Sequence, residues 1–226
     1  STPIKSSAAS DVYKRQTYGE EVANVLTHGA GMLFGMTAII VLMMAAIRSG
    51  NPWAIGSFAV YAVCMTLSYV TSTFYHASTH ARQKRLLRRF DHGAIYLHIA
   101  GTYTPFTLLA LRQEGYWGWS LFAVIWIAAV IGVWLSFRKM RKKDHLKTVC
   151  YLAMGWVVII AFKPLLHVFR ETGSMNVLYW LIGGGLFYTV GCLFFFLDKY
   201  KYMHPVWHFF VLGGSICHFI SIYLLV

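Results

Sequence analysis

The sequence predicts an all-α integral membrane protein, a seven-transmembrane helix bundle with a cytoplasmic N-terminus and the C-terminus outside. Three observations support this prediction. Of the 226 residues, 58% are hydrophobic and only 12% are charged, and the mean hydropathy is +0.55, which is typical of a membrane protein. Seven stretches are long and apolar enough to cross a bilayer as helices. Finally, the basic residues alternate between the loops that connect these stretches.

The seven predicted spans occupy most of the chain. A bilayer core takes about 20 mostly apolar residues in helical form, and the matching stretches are residues 28–47, 53–75, 92–111, 117–137, 147–166, 177–197 and 205–225. We therefore predict one membrane domain at residues 20–226 with short connections and no separate soluble domain.

Residues 1–19 form a polar N-terminal tail ahead of this domain. Within it, the segment "DVYKRQ" matches the translation of a sequencing-library transposon end. We therefore expect residues 1–16 to be a sequencing artefact that has no structural role.

The distribution of charge sets the orientation and argues against nucleic acid as a partner. The formal net charge is +12. All Lys and Arg residues lie in the N-terminal tail or in the loops after the second, fourth and sixth spans, except Arg48, Arg112, Lys163 and Arg170. By the positive-inside rule, these basic loops and the N-terminus are cytoplasmic. This alternation explains the positive charge, so we expect no nucleic acid partner.

Scarce polar residues gather at one predicted depth. An ionisable side chain in the membrane costs roughly 2.5–3.5 kcal/mol, so it needs a partner or a function. Four spans that alternate in direction place such groups just inside the cytoplasmic surface, namely Glu21, Asn24 and His28 before or at the first span, Ser72 and His76 at the end of the second, Asp91 and His92 at the start of the third, and His204 and His208 at the start of the seventh.

The spacing of these residues suggests a metal site. Residues four apart share a helix face, which pairs Ser72 with His76 and His204 with His208. Three imidazoles with one open position make the arrangement of a catalytic zinc. We predict that His76, His204 and His208 bind Zn²⁺. Asp91 would accept or orient the proton of a water, and Ser72 would donate a hydrogen bond to that water or to a substrate oxygen.

Other histidines have weaker claims to this site. His80 continues the ladder of residues 72 and 76, but it lies in a basic loop. A single membrane histidine is more often a hydrogen-bonded structural residue, which is our interpretation of five of them: His92, His98, His145, His167 and His218. "HPVWH" also lacks the Glu that marks a helical zinc protease.

Four motifs in order resemble the hemolysin III branch of the progestin and adiponectin receptor superfamily. They are "EExxNxxTH" at 20–28, "SxxxH" at 72–76, "DHGAI" at 91–95, and "HPVWH" at 204–208 followed by His218. The resemblance covers about residues 18–226. It implies seven helices with the N-terminus inside and a zinc ion near the cytoplasmic surface. The family's ligand histidines match His76, His204 and His208, its water-holding aspartate matches Asp91, and its site serine matches Ser72.

The resemblance also implies a class of activity and a location. The superfamily is associated with zinc-dependent, ceramidase-like hydrolysis of lipid amides, and this branch is named for haemolysis. We therefore expect a multi-pass protein of the bacterial cytoplasmic membrane that hydrolyses a lipid amide or ester. Its partner would be a membrane lipid. The glycines of "LIGGGLF" at 181–187 and "VLGGS" at 211–215 would either line a cavity for that lipid or allow close helix packing.

A non-enzymatic function is the alternative. The protein would then be a membrane-homeostasis protein, a pore-like haemolysin or an ion conductor with a structural zinc. The sequence offers few ionisable residues deep in the bilayer, and Lys163 is expected to snorkel outward. Gly31 and Gly35 form a GxxxG packing motif that is compatible with a homo-oligomer without requiring one.

Overall fold

The computed structural model describes residues 16–138 and 145–226, and these residues form eight α-helices and no strand. The helices are α1 (Tyr18–Ser49), α2 (Pro52–Ala77), α3 (Ala81–Pro105), α4 (Trp117–Phe137), α5 (His145–Trp156), α6 (Phe162–Glu171), α7 (Met175–Phe196) and α8 (Met203–Tyr223). A π-helical turn, Phe106–Ala110, follows α3, and a 3₁₀ segment, Val157–Ala161, joins α5 to α6. Since α5 and α6 together make one span, the described residues form seven spanning segments, in agreement with the sequence prediction.

The bundle has the surface of a membrane protein. Six segments are long and apolar enough to cross a bilayer, namely α1, α2, α4, the joined α5 and α6, α7 and α8. The seventh, α3, opens with basic turns and becomes apolar from Gly93 onward. Large hydrophobic side chains such as Ile40, Ile127 and Leu186 are exposed on the outside, where lipid would cover them. The predicted all-α membrane bundle is confirmed.

Two helices near the predicted site begin earlier in the sequence than the transmembrane spans predicted from hydropathy. Helix α1 begins at Tyr18 because Thr17 and Glu20 form a capping box, in which Thr17 N–H donates to the Glu20 carboxylate at 2.8 Å and Glu20 N–H donates to Thr17 Oγ1 at 3.3 Å. Helix α3 begins at Ala81, so Asp91 lies well inside it and not at its start as expected. The predicted spans did not include the first turns of α1 and α3, because these turns are polar and lie outside the hydrocarbon of the bilayer.

The start of α8 also differs from the prediction in detail. The predicted span began at residue 205, but α8 begins at Met203 and its N-cap is Tyr202, which has a left-handed φ of 62°. His204 therefore lies within the first helical turn. Pro205 follows it in that turn, where its missing N–H leaves no hydrogen bond unmade.

Two spans are irregular near a proline. Helix α3 gives way to the π-helical turn directly after Pro105. In the fifth span the 3₁₀ segment precedes Pro164, which cannot donate to the preceding turn. The Tyr103 hydroxyl bridges this break: it lies 2.7 Å from the Gly155 carbonyl and accepts from Val158 N–H at 2.9 Å. A neighbouring helix thus satisfies backbone groups that lipid could not.

Glycines bring pairs of helices into close contact within the chain. Gly31 of α1 lies against Tyr69 of α2, and Gly35 lies against Thr66, so this GxxxG face is used inside the bundle. Gly184 of α7 lies against His218 of α8. The glycines of 181–187 and 211–215 therefore serve mainly helix packing, although Gly185 also lines a cavity.

Some sequence predictions concern residues that lie outside the described ranges or next to them. Residues 1–15, most of the proposed artefact, lie outside the described residues, and so does the side chain of His145. Gln16 is described, and its Oε1 accepts a hydrogen bond from Asn24 Nδ2 at 2.7 Å. Lys163 is exposed at the start of α6, consistent with a side chain that snorkels outward.

Candidate metal centre

Three histidine side chains from two helices meet at one end of the bundle. His76 comes from the last turn of α2, and His204 and His208 come from the first turns of α8. Ring nitrogens of the three residues lie within 4.8 Å of one another, and the ring centroids are 4.6 to 5.3 Å apart. The group is compact enough to hold one metal ion, and its members are those predicted from the sequence.

Helix α1 orients His76 so that one ring nitrogen stays available. His76 Nδ1 lies 2.7 Å from Glu21 Oε2 and 3.2 Å from Asn24 Nδ2, and the other Glu21 oxygen accepts from Lys84 Nζ at 2.6 Å. Because a carboxylate only accepts hydrogen bonds, Nδ1 carries the proton and Nε2 carries the lone pair. That Nε2 atom is buried and has no hydrogen-bond partner among the described residues. A cation would supply the missing partner.

His208 has the same arrangement with a different partner. The Thr27 hydroxyl lies 2.9 Å from the Ala23 carbonyl and 3.0 Å from the Asn24 carbonyl, so its hydrogen is used by the backbone. Thr27 Oγ1 then accepts from His208 Nδ1 at 3.2 Å. The Nε2 atom of His208 is buried and unpartnered within the described part of the chain. Outer partners of this kind fix the tautomer of metal-binding histidines in proteins.

His28, the third predicted supporting residue, contacts the site through its ring and not through a hydrogen bond. His28 was grouped with Glu21 and Asn24 as a polar residue near the site. Its ring stacks on His208 with a centroid distance of 3.5 Å, and it meets Tyr69 edge-on at 5.2 Å. Its two ring nitrogens are buried without a hydrogen-bond partner in the described residues. His28 therefore holds the His208 ring by packing.

Ser72 and Asp91 lie beside the histidines. Ser72 is one turn before His76 on α2 and is buried. Its hydroxyl hydrogen-bonds to the Asp91 carboxylate, and Asp91 also lies near His76 and Arg88. Because a carboxylate only accepts, Ser72 is the donor. The hydroxyl therefore orients Asp91 and would have to leave this bond before it could donate to a substrate oxygen.

A large cavity opens onto this site. Its volume is about 1530 Å³, above the range of roughly 300–1,000 Å³ that is usual for small-molecule pockets. His76, Asp91 and His204 line it at the end where the histidines meet, and Phe106 and Leu165 line it at the far end. The wall is mostly apolar. This shape suits a molecule with a polar end near the histidines and a long apolar part.

Among the described side chains, the other histidines do not join the group of three. His80 is exposed at the start of α3, so its weaker claim is not supported. His167 is exposed near Glu114 at 3.8 Å. His98 and His218 are buried deeper in the bundle and line the cavity. His92 lines it as well, and its backbone carbonyl accepts from the Tyr151 hydroxyl at 3.0 Å.

Some residues near the site could not be recognised from the sequence. Thr27 belongs to the first motif, but a threonine can equally bond its own helix backbone, so the sequence gives no sign that it also receives His208. Arg88 and Lys147 lie in basic stretches that the positive-inside rule already explains. Their proximity depends on how α3 and α5 pack, which the sequence does not show.

Comparisons with known proteins show which family the sequence resembles. A family model described as "Haemolysin-III related" matches residues 16–219. The chain is 42% identical to a Hemolysin-3 of Bacillus cereus over 203 residues, which cover 90% of each chain. It is 40% identical to a Hemolysin-3 homolog of Bacillus subtilis (strain 168) over 206 residues, which cover 91% of this chain and 94% of that protein.

Proposed function

Since the chain belongs to the haemolysin-III related family, we propose that it is a zinc-dependent hydrolase of lipid amides or esters, acting near the cytoplasmic surface of the bacterial plasma membrane. The observation that carries this proposal is the pair of buried, unpartnered Nε2 atoms on His76 and His208, next to His204 and a large apolar cavity. A multi-pass membrane protein could use such a site to reach a lipid carbonyl.

The donor set favours zinc among the common metals. Three neutral imidazoles that leave one position open are typical of catalytic zinc sites, whereas magnesium and calcium prefer oxygen ligands. A zinc ion bound there would supply a Lewis acid that polarises a carbonyl and activates water. Glu21 and Thr27 would keep the lone pairs of His76 and His208 directed at the ion.

Asp91 is the proposed general base. Its carboxylate lines the cavity beside His76 and would accept the proton of an attacking water, then return it to the leaving amine or alcohol. Ser72 holds the carboxylate in place through their hydrogen bond. The cavity walls would bind the acyl chain and exclude bulk water from the reacting carbonyl.

Metal content and turnover together test this proposal. We expect detergent-purified protein to contain about one zinc per chain, as a site with three protein ligands would hold. His208→Ala should lose it, since two imidazoles remain. His167→Ala, which alters an exposed histidine outside the site, should keep it.

Asp91→Asn separates chemistry from metal binding. This variant should retain zinc, yet its turnover of a panel of lipid amides and esters should fall by roughly 10²–10⁴-fold, the usual contribution of a general base. Zinc-replete wild-type protein that hydrolyses no member of the panel would contradict the enzymatic proposal and leave a structural zinc.

A conducting function is the second candidate, and a buried polar network supports it. The Ser215 hydroxyl lies 2.7 Å from the Tyr69 hydroxyl and 2.8 Å from that of Tyr188, and the Tyr188 ring contacts His218. These groups extend polar side chains below the histidines into the bundle. Proton or ion flux through liposomes that persists in a His76→Ala, His208→Ala double variant would favour this function over hydrolysis.

A further inference from the structure

Two buried histidines line the cavity well below the candidate metal centre. His98 of α3 follows Asp91 by seven residues, and His218 of α8 follows His208 by ten. Since a helix rises by about 1.5 Å per residue, both imidazoles lie roughly 10–15 Å deeper in the bundle than the group of three histidines. More than nine-tenths of each residue is buried, and each lines the cavity. The cavity therefore has a second set of polar groups far from the proposed metal.

The surroundings of these two histidines bring residues of α2, α3, α7 and α8 together. The Tyr188 ring of α7 lies 5.4 Å from the His218 ring and 6.3 Å from the His98 ring, between centroids. Its hydroxyl lies 2.8 Å from the hydroxyl oxygen of Ser215, to which the Tyr69 hydroxyl donates at 2.7 Å. These hydroxyl groups are partnered within the protein, whereas each of the two histidines has a ring nitrogen that is not.

The hydrogen bonding of His218 defines what a ligand must supply. Its Nε2 atom lies 3.2 Å from the Leu181 carbonyl oxygen of α7. Because a carbonyl only accepts, Nε2 carries the proton, and Nδ1 of the neutral ring keeps the lone pair. That Nδ1 atom is buried without a hydrogen-bond partner among the described residues. The missing partner is therefore an O–H or N–H donor, which hydrocarbon, ester and ketone groups lack.

His98 supplies a second unpartnered nitrogen in this layer. Its Nε2 atom is buried and makes no hydrogen bond in the described part of the chain. A hydroxyl can serve both rings, because it donates one hydrogen bond and accepts others. A metal ion suits this place less well, since two imidazoles fall short of the usual zinc ligand set. Among the described residues, the one group that could hold a metal is His76, His204 and His208.

We infer that His98 and His218 bind a hydroxyl group carried partway along the apolar part of the ligand. The hydroxyl donates to Nδ1 of His218 and accepts from Nε2 of His98. The inference rests on the proposed function for the other end of the ligand, the amide or ester at the metal centre. It narrows the substrate class to lipids whose chain carries a hydroxyl roughly 10–15 Å from the carbonyl that is cleaved.

The continuity of the cavity supports a single ligand that reaches both sites. His76 and His204 line the same cavity as His98 and His218. The wall between and beyond them is mostly apolar, so a hydroxyl elsewhere along the chain would lose its hydrogen bonds to water without replacement. A chain without a hydroxyl would leave both ring nitrogens unpaired. The two imidazoles therefore select both the group and its position.

Binding of three fatty acids without turnover tests the inference. Stearic acid, a hydroxystearic acid with its hydroxyl at mid-chain and the matching ketostearic acid would each displace a fluorescent fatty acid from purified protein in a nonionic detergent. These acids resemble a product of the proposed reaction. The preference is the affinity for the hydroxy acid divided by that for stearic acid. Uptake of the acids by micelles is the same for every variant, so it cancels when variants are compared.

Substitutions of the two histidines should remove the preference. We expect His218→Leu and His98→Leu each to lower it by about fivefold, since a buried acceptor or donor then no longer meets the hydroxyl. Their affinity for stearic acid should stay near that of wild type, which serves as the fold control, and either variant tests the inference should the other fail to fold. The keto acid cannot donate to His218, so its affinity relative to stearic acid should change by less than about twofold in His218→Leu.

Thr102→Val is the matched control. Thr102 is one turn after His98 and lines the same cavity, but its hydroxyl donates to the His98 backbone carbonyl at 2.9 Å. Its preference should stay within about twofold of wild type. An equal loss in Thr102→Val, or an unchanged preference in both histidine variants, would overturn the inference.

The outcomes for this site and for the proposed enzyme are separable, because no step measures hydrolysis. A protein that hydrolyses no lipid but loses its hydroxy-acid preference in His218→Leu would contradict the enzyme and support the site. A lipid hydrolase whose preference survives in both histidine variants would do the reverse.

Discussion

At the scale of single residues, the site depends on which ring nitrogen carries a proton. Glu21 and Thr27 both belong to α1, yet they set the tautomers of histidines on α2 and α8. Because each accepts a hydrogen bond from Nδ1–H, the buried Nε2 of each neutral ring carries the lone pair. The proposed metal binding therefore depends on a helix that contributes none of the three histidines.

Thr27→Val tests this dependence. Valine has a similar shape but cannot accept from His208 Nδ1, so the ring loses its fixed orientation. We expect zinc affinity to fall by about 10–100-fold, as for other outer partners of metal ligands. Competition with a chelator of known affinity measures it. Thr37→Val is the control, because Thr37 is exposed on the same helix and bonds only the Leu33 carbonyl, and it should bind zinc as wild type does.

At residue scale the sequence predicted which three histidines lie together, but only part of the polar residues around them. His76, His204 and His208 could be found because fixed spacings on alternating helices bring them to one depth. The Ser72 hydrogen bond to Asp91 depends on the rotation of α2 against α3. Apolar residues surround both faces of these helices, so periodicity alone does not fix that rotation.

At the scale of helices, small residues decide how closely neighbours pack. Helices α7 and α8 approach through glycines, and the imidazole of His218 occupies the space beside Gly184. His218 Nε2 lies 3.2 Å from the Leu181 carbonyl of α7. In lipid, where apolar surface gives little drive for helix association, such close contacts hold the helices together.

Gly184→Ala and Gly183→Ala form a matched pair on adjacent residues. A methyl group at 184 would fall on the His218 ring, whereas one at 183 meets nothing within 4 Å. We expect Gly184→Ala to destabilise the protein by about 1–3 kcal/mol, as overpacking generally does. Gly183→Ala should leave stability unchanged or slightly raised. Thermal unfolding in detergent distinguishes them, and equal melting temperatures would contradict the packing argument.

Element boundaries were the least predictable part of the fold. Hydropathy identifies only the residues in hydrocarbon, so it missed the polar turns of α1 before residue 28 and of α3 before residue 92. It also gave the fifth span as one continuous segment, although the helix changes to 3₁₀ geometry at Val157–Ala161. The extent of this 3₁₀ segment depends on a contact with Tyr103 of another helix, which hydropathy does not show.

At the scale of the whole molecule, seven spanning segments place the two ends of the chain on opposite sides of the membrane. The metal centre then lies at the end of the bundle that carries the basic residues of α3 and the start of α8. By the positive-inside rule this end is cytoplasmic. The proposed hydrolysis would therefore use lipid of the inner leaflet.

Site-directed labelling checks this orientation. Single cysteines would be introduced into a variant whose four native cysteines are replaced. Thr172→Cys places one just after α6, and Lys201→Cys places one just before α8. A membrane-impermeant maleimide should label Thr172→Cys in intact cells and Lys201→Cys only after permeabilisation. The reverse pattern would place the histidines on the outer face.

The break in the fifth span has a consequence for how the protein responds to what it holds. Tyr103 lines the cavity, and its hydroxyl ties together the backbone of that span at Gly155 and Val158. A molecule bound at this depth of the cavity would lie against Tyr103. A molecule bound in the cavity would therefore affect the backbone of the fifth span, which ends at Glu171 on the opposite side of the bundle. We expect such binding to slow hydrogen exchange of the Val158 amide.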